Sequence, residues 1–154
     1  MPNLLTGEKP SDFVWLPTWF SDLGNHFLKI NDLDNLCLLV SRGLEWFRNY
    51  PPILNLAGKA LVELGFNLGA LSYFQSCIDC FHTQSFSTSA VFEGVNPSLD
   101  FLAAESYYWQ GRIYVDFGEW DKAATSFESC LNIRQDFHDA KERLILTQEN
   151  SYCK

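Results

Sequence analysis

Residues Tyr107 to Phe127 read YYWQGRIYVDFGEWDKAATSF, and this stretch decides the fold. Tyr107, Gly111 and Tyr114 are spaced by four and then three residues, which puts them on one face of a helix. Gly118 follows at the point where that helix must end, and glycine tolerates the left-handed backbone that ends helices. Trp120, Ala123 and Phe127 then open a second apolar face at helical spacing. The stretch predicts two helices joined by a tight turn. Gly111 and Ala123 carry little or no side chain, so the two backbones can approach closely.

The pattern occurs twice more upstream. Phe20/Gly24/Phe27 and Leu54/Gly58/Leu61 repeat the first face, Leu36 and Ala70 follow at the place of Ala123, and Val40 and Phe74 at the place of Phe127. Asn31 and Gly65 take the turn position of Gly118. Gly24 and Gly58 are 34 residues apart, whereas Gly58 and Gly111 are 53 apart, an excess of 19. These units resemble tetratricopeptide repeats, which read W-x2-L-G-x2-Y…A-x3-F over a period of about 34. The third unit matches best; in the first, Leu36, Val40 and Asn31 replace the usual Ala, aromatic and Gly.

The resemblance implies an all-α, right-handed solenoid of three helical hairpins plus a C-terminal capping helix. It divides the chain into an N-terminal extension, 1–16, and a repeat domain, 17–150. Within the domain the repeats span about 17–50, 51–82 and 104–136, with an insertion at 83–102 and the capping helix at 137–150. Asn96-Pro97-Ser98 reads as a stop and then an N-cap for a lengthened helix. One hairpin cannot bury its own apolar face, so neighbours must stack and the ends need covering. The final helix is amphipathic, with Ala140, Leu144 and Ile145 expected inward and Asp139, Lys141, Glu142 and Arg143 outward.

Composition limits the function classes. The chain has 154 residues, 47% of them hydrophobic and 19% charged, enough for one domain with a sizeable core. Its net charge of −8 disfavours non-specific binding to a phosphate backbone, so no nucleic-acid partner is expected. Apolar runs such as Leu36–Val40 are too short to span a bilayer, and Met1–Pro10 has neither the basic start nor the apolar stretch of a secretory signal. Five cysteines without a regular framework suit a reducing interior, so a cytoplasmic location is expected.

Few constellations carry chemistry. Cys77-Ile78-Asp79-Cys80 with His82 has the spacing of a zinc or thiol-exchange pair, but no second pair completes a site. Repeat register sets Cys77 beside Cys130 and Cys80 beside Ile133, so packing is the expected role of both. Asp32-Leu33-Asp34 matches a bare D-x-D, yet it falls in a turn before a helix, where acids favour the helix start. His26, His82 and His138 are scattered over separate units. No catalytic residue, cofactor or metal is assigned, and the chain is not expected to be an enzyme.

In the repeat family the first helix of each unit lines a concave groove. The resemblance therefore places six residues there: Ser21, Asn55 and Tyr108, three before the motif glycine, and Asn25, Lys59 and Arg112, one after it. One amide and two cations on an acidic protein can clamp a carboxylate or an acidic peptide. The arrangement resembles in part the carboxylate clamp of some family members, departing from it where Glu105 and Trp109 take the last unit's positions. Alternatively, Lys59 and Arg112 pair with Glu63 and Asp116, four residues on, as surface ion pairs. The aromatic residues Trp15 and Trp19 either plug the open end of the first hairpin or form an interface, a seam between copies of the chain. Phe86 and Phe92 either decorate a tolerated surface insertion or dock a flap on a groove or partner.

The leading functional expectation is a non-enzymatic scaffold that binds a peptide or partner protein in the concave groove. Two alternatives stand beside it. The stretch AAESYYWQGRIY loosely resembles repeat tails of bacterial family 2 glycosyltransferases, which would make the chain an accessory portion of such a system. A self-assembling structural protein joined through Trp15 and Trp19 is the other.

Overall fold

The computed structural model describes residues 16–47, 49–83 and 99–152, with side chains from 20 to 151 within those spans. All regular structure among the described residues is helical. The helices are α1 Leu16–Lys29, α2 Leu33–Trp46, α3 Pro51–Leu64, α4 Asn67–Thr83, α5 Leu99–Asp116, α6 Trp120–Ile133 and α7 Ala140–Tyr152. Each packs on its neighbour in the chain, and the odd-numbered helices also touch one another, α1 on α3 and α3 on α5. The fold is an all-α helical-hairpin solenoid, with hairpins α1–α2, α3–α4 and α5–α6 and α7 closing the end.

The three hairpin turns are the same structure. Asn31, Gly65 and Gly118 all adopt a left-handed backbone, with φ of 59°, 84° and 74°. After each, the next amide reaches back five residues, from Asp32 to Phe27 O, Phe66 to Leu61 O and Glu119 to Tyr114 O, at 2.9, 2.8 and 2.9 Å. The left-handed residue itself bonds to the carbonyl three back, so each turn satisfies carbonyls that the helix end leaves open. Asp32, Phe66 and Glu119 then accept the first hydrogen bond of the second helix, from Leu36, Ala70 and Ala123. Asp32 also caps α2 through its side chain, accepting from Asn35 N, so the Asp32-Leu33-Asp34 motif is a helix start.

Close approach explains two of the motif glycines. A Cβ on Gly58 would lie 2.6 Å from the Phe74 ring, and one on Gly111 would lie 2.7 Å from the Phe127 ring. The two hairpins thus cross in the same way, each with a phenylalanine seated on a glycine. Gly24 differs: its nearest neighbour is Leu56 of α3, so it serves the seam between hairpins instead of the α1–α2 crossing expected from the pattern. The reason is Val40, which is too short to fill the place of Phe74 or Phe127.

The interior divides along the stack. Phe20, Leu36, Leu39, Tyr50, Ile53 and Leu56 build a core between α1, α2 and α3. Ala104, Ala123, Phe127, Cys130, Phe137 and Ala140 build another between α5, α6 and α7. Leu54, Cys77, Cys80 and Leu102 join the two halves, with Ala70, Phe74 and Ile113 alongside. Cys77 and Cys130 are fully enclosed, and burial pushes both thiols up to about 12. The Cys77 and Cys80 thiols face the backbone carbonyls of Pro51 and Asn49 at 3.7 and 3.6 Å, and His82 turns instead to the Tyr107 hydroxyl at 2.8 Å.

Two helix boundaries depart from expectation. α5 begins at Leu99, so Leu99–Leu102 belong to a helix and not to the insertion; residues 84–98, with Phe86, Phe92 and Ser98, lie outside the described residues. The last helix starts at Ala140 and not at Phe137, because His138 adopts a positive φ of 44° and breaks the chain direction. Phe137 is nevertheless buried, packing against Phe101 and Tyr108. Ile145 is half exposed, contrary to its expected inward position; Ala140, Leu144 and Thr147 face inward, a set spaced by four and three residues.

Candidate functional site

The six residues assigned to the inner face divide cleanly by position. Ser21, Asn55 and Tyr108, three before each glycine, are only 2, 2 and 6% exposed. Asn25 is exposed, and Lys59 and Arg112 are partly so. Residues four apart lie on the same side of a helix, so the two sets differ mainly by one turn's rise along it and not by the face they occupy. The outer set alone is within reach of a ligand.

The buried set ties hairpins together. Asn55 Nδ2 donates to Ser106 Oγ at 3.2 Å, linking α3 to α5 inside the stack. Tyr108 donates its hydroxyl to Asp139 Oδ1 at 2.5 Å, fixing the turn before α7 on α5. That hydrogen bond holds the Asp139 carboxyl below its usual range, and Arg143, with Nε 2.9 Å from Asp139 Oδ2, acts in the same direction. Burial, followed by the bond to Asp139, raises the Tyr108 hydroxyl above its ordinary value.

The outer set is less uniform than the sequence suggests. Asn25 Nδ2 donates to Ser21 O, a bond within its own helix. Lys59 does not pair with Glu63 four residues on; its ammonium lies 2.6 Å from Glu105 Oε1 of α5. Both partners are largely desolvated, with side chains 19% and 11% exposed. Glu105 Oε1 is closed to water, and the ammonium approaches it as an ion pair outside hydrogen-bond angles. Arg112 likewise leaves Asp116 alone. Its guanidinium lies over the Trp109 ring, 4.6 Å from the centroid, and 5.8 Å from that of Tyr108. Arg143 lies 5.7 Å from the same Tyr108 ring.

Glu105, Ser106, Asp139 and Arg143 were not among the residues assigned to the site from the sequence. Repeat register sets Glu105 opposite Pro52, so no recurring pattern announces its partnership with Lys59. Arg143 carries a faint signal, standing four residues after Asp139 on the last amphipathic helix. The other assigned residues give less. Trp19 lies in α1 without a described side chain, and Trp15 lies outside the described residues. No group of three metal-ligating side chains occurs among the described residues. No helix among them is long and apolar enough to cross a membrane.

No family model matches the chain, and no curated protein matches it either. Among solved structures it is similar to the crystal structure of MamA protein, at 18% identity over 90% of this chain and 84% of that one, with a TM-score of 0.38.

Proposed function

We propose that the chain is a non-enzymatic interaction module that holds a peptide, or an extended segment of a partner protein, along the concave face formed by α1, α3 and α5. The observation that carries this reading is the row Asn25, Lys59 and Arg112: equivalent positions on successive first helices, all at least partly open, in a protein of net charge −8. Arg112 is the one cation of this row without a carboxylate within ion-pair distance among the described residues, and it favours an acidic or carboxylate-bearing partner, while the net negative charge disfavours nucleic acid. Free thiols at Cys37, Cys77, Cys80 and Cys130 support a reducing compartment.

Affinity capture from the native cell with mass spectrometry tests the proposal. Wild type runs beside Asn25→Glu/Arg112→Glu, with Glu128→Arg on the exposed side of α6 as a control and circular dichroism to check helicity. Lys59 is left intact, since a carboxylate there would face Glu105. A partner held by wild type and the control but lost by the double variant supports the groove. A partner retained by all three moves the binding surface elsewhere.

A further inference from the structure

The hairpin-turn edge departs from its own repeat at one place. Each turn carries one exposed apolar residue just before its left-handed position, Ile30, Leu64 or Phe117. The first and third turns then start their second helix with carboxylates, Asp32 and Asp34 for α2, Glu119 and Asp121 for α6. Acids suit a helix start, since they can accept from its open N–H groups and they face its positive end. The second turn has Phe66 and Leu68 at those two places, and α4 has no acid in its first turn. Phe66 is 63% and Leu68 76% exposed, so the core does not recruit them. Neither helix capping nor burial accounts for two large apolar side chains here.

Phe66, Leu68 and, from the next hairpin, Phe117 line a hollow of about 370 Å³, to which Gly65 and Gly69 add no bulk, leaving room for one large aromatic side chain. Within four residues of the two turns stand four exposed carboxylates, Glu63, Asp116, Glu119 and Asp121. Against them is one cation, Lys122, already paired with Glu119 at 3.8 Å. We propose that this hollow seats a single large apolar side chain carried on a basic segment of a partner protein, whose cations meet the surrounding carboxylates. A second copy of the chain would bring the same acidic rim against itself, and an anionic bilayer would be repelled. The hollow lies at the turn edge and uses none of Asn25, Lys59 and Arg112, so it is independent of the groove reading.

Three peptides, acetylated and amidated, separate the apolar anchor from the charge: Lys-Lys-Trp-Lys-Lys, Lys-Lys-Ala-Lys-Lys and Glu-Glu-Trp-Glu-Glu. Titrated into the full chain at low salt and read by amide NMR shifts, the lysine–tryptophan peptide is expected to move Gly65, Gly69 and Phe117. It should bind about fivefold or more tighter than the alanine peptide, and the glutamate peptide should give no saturable shift. Phe66→Asp/Leu68→Asp gives the second turn the acids of the first. That variant should lose the preference for tryptophan over alanine while its urea midpoint stays at or above wild type. A lowered midpoint would show that Phe66 and Leu68 serve the fold, and overturns the proposal. Equal binding of the tryptophan and alanine peptides to wild type, a preference that survives in the double variant, binding of the glutamate peptide, or shifts centred elsewhere overturn it too. Light scattering covers the remaining occupant: a wild-type dimer that the double variant abolishes gives the hollow to a second copy and removes the basic partner.

Discussion

Lys59 and Glu105 meet at 2.6 Å between α3 and α5 with little water around either group. Two charges in that position gain strong mutual attraction but give up hydration, so the pair need not add much net stability. Removing one partner is another matter, because the other charge stays behind in the same poorly solvated place. Glu105→Leu should therefore destabilise by about 3 kcal/mol, toward the low end for a broken buried pair, since some solvent still reaches both side chains. Lys59→Met/Glu105→Leu should cost less than either single change. Urea unfolding of the four proteins measures this as a coupling energy, and additive losses would refute it. The sequence showed Lys59 as an inner-face cation because its place repeats at Asn25 and Arg112. It hid the partner, because Glu105 is brought near by the stacking of hairpins across a long separation and by no local period.

The hairpin turn is the element most legible in the sequence, because its requirement is local. A left-handed residue at a helix end needs Gly or Asn, and Asn31, Gly65 and Gly118 supply them at recurring positions. Gly65 isolates that requirement. A Cβ there would meet nothing within 4 Å, so its cost is the backbone alone, at φ of 84°. Gly65→Ala should lower stability by about 1–2 kcal/mol without altering any side-chain contact, and Gly65→Asn should cost less, as Asn31 already tolerates the same conformation. Denaturant midpoints at constant m-value check both; a silent Gly65→Ala would show the turn to be under no such constraint. Tertiary requirements were less legible. Gly24 has the right spacing for a hairpin crossing, yet Leu56 from the next hairpin fills its space. Ile145 has an apolar side chain and is half exposed, because α7 has a neighbour on one side only.

A solenoid is stable as a chain of neighbouring interfaces, so its weakest interface decides whether it unfolds as one body. The two cores here, α1 to α3 and α5 to α7, share no buried residue and are joined through α4 and the inner faces of α3 and α5. The joint consists of Leu54, Cys77, Cys80 and Leu102, with Phe74 under Trp109 and two polar links, Asn55–Ser106 and Lys59–Glu105. Leu102 is 2% exposed at its centre, and Leu102→Ala should remove about 2–5 kcal/mol from that interface while leaving both cores intact. Hydrogen exchange read by mass spectrometry separates the outcomes. In wild type, slow amides of α2 and α6 should open with one common free energy, as a single cooperative unit. In Leu102→Ala they should open with two different free energies. Leu36→Ala, inside the first core, should instead lower both together while the joint holds. If α2 and α6 still open as one unit in Leu102→Ala, the halves are coupled by the polar links, and Asn55→Ala in the same background should then separate them.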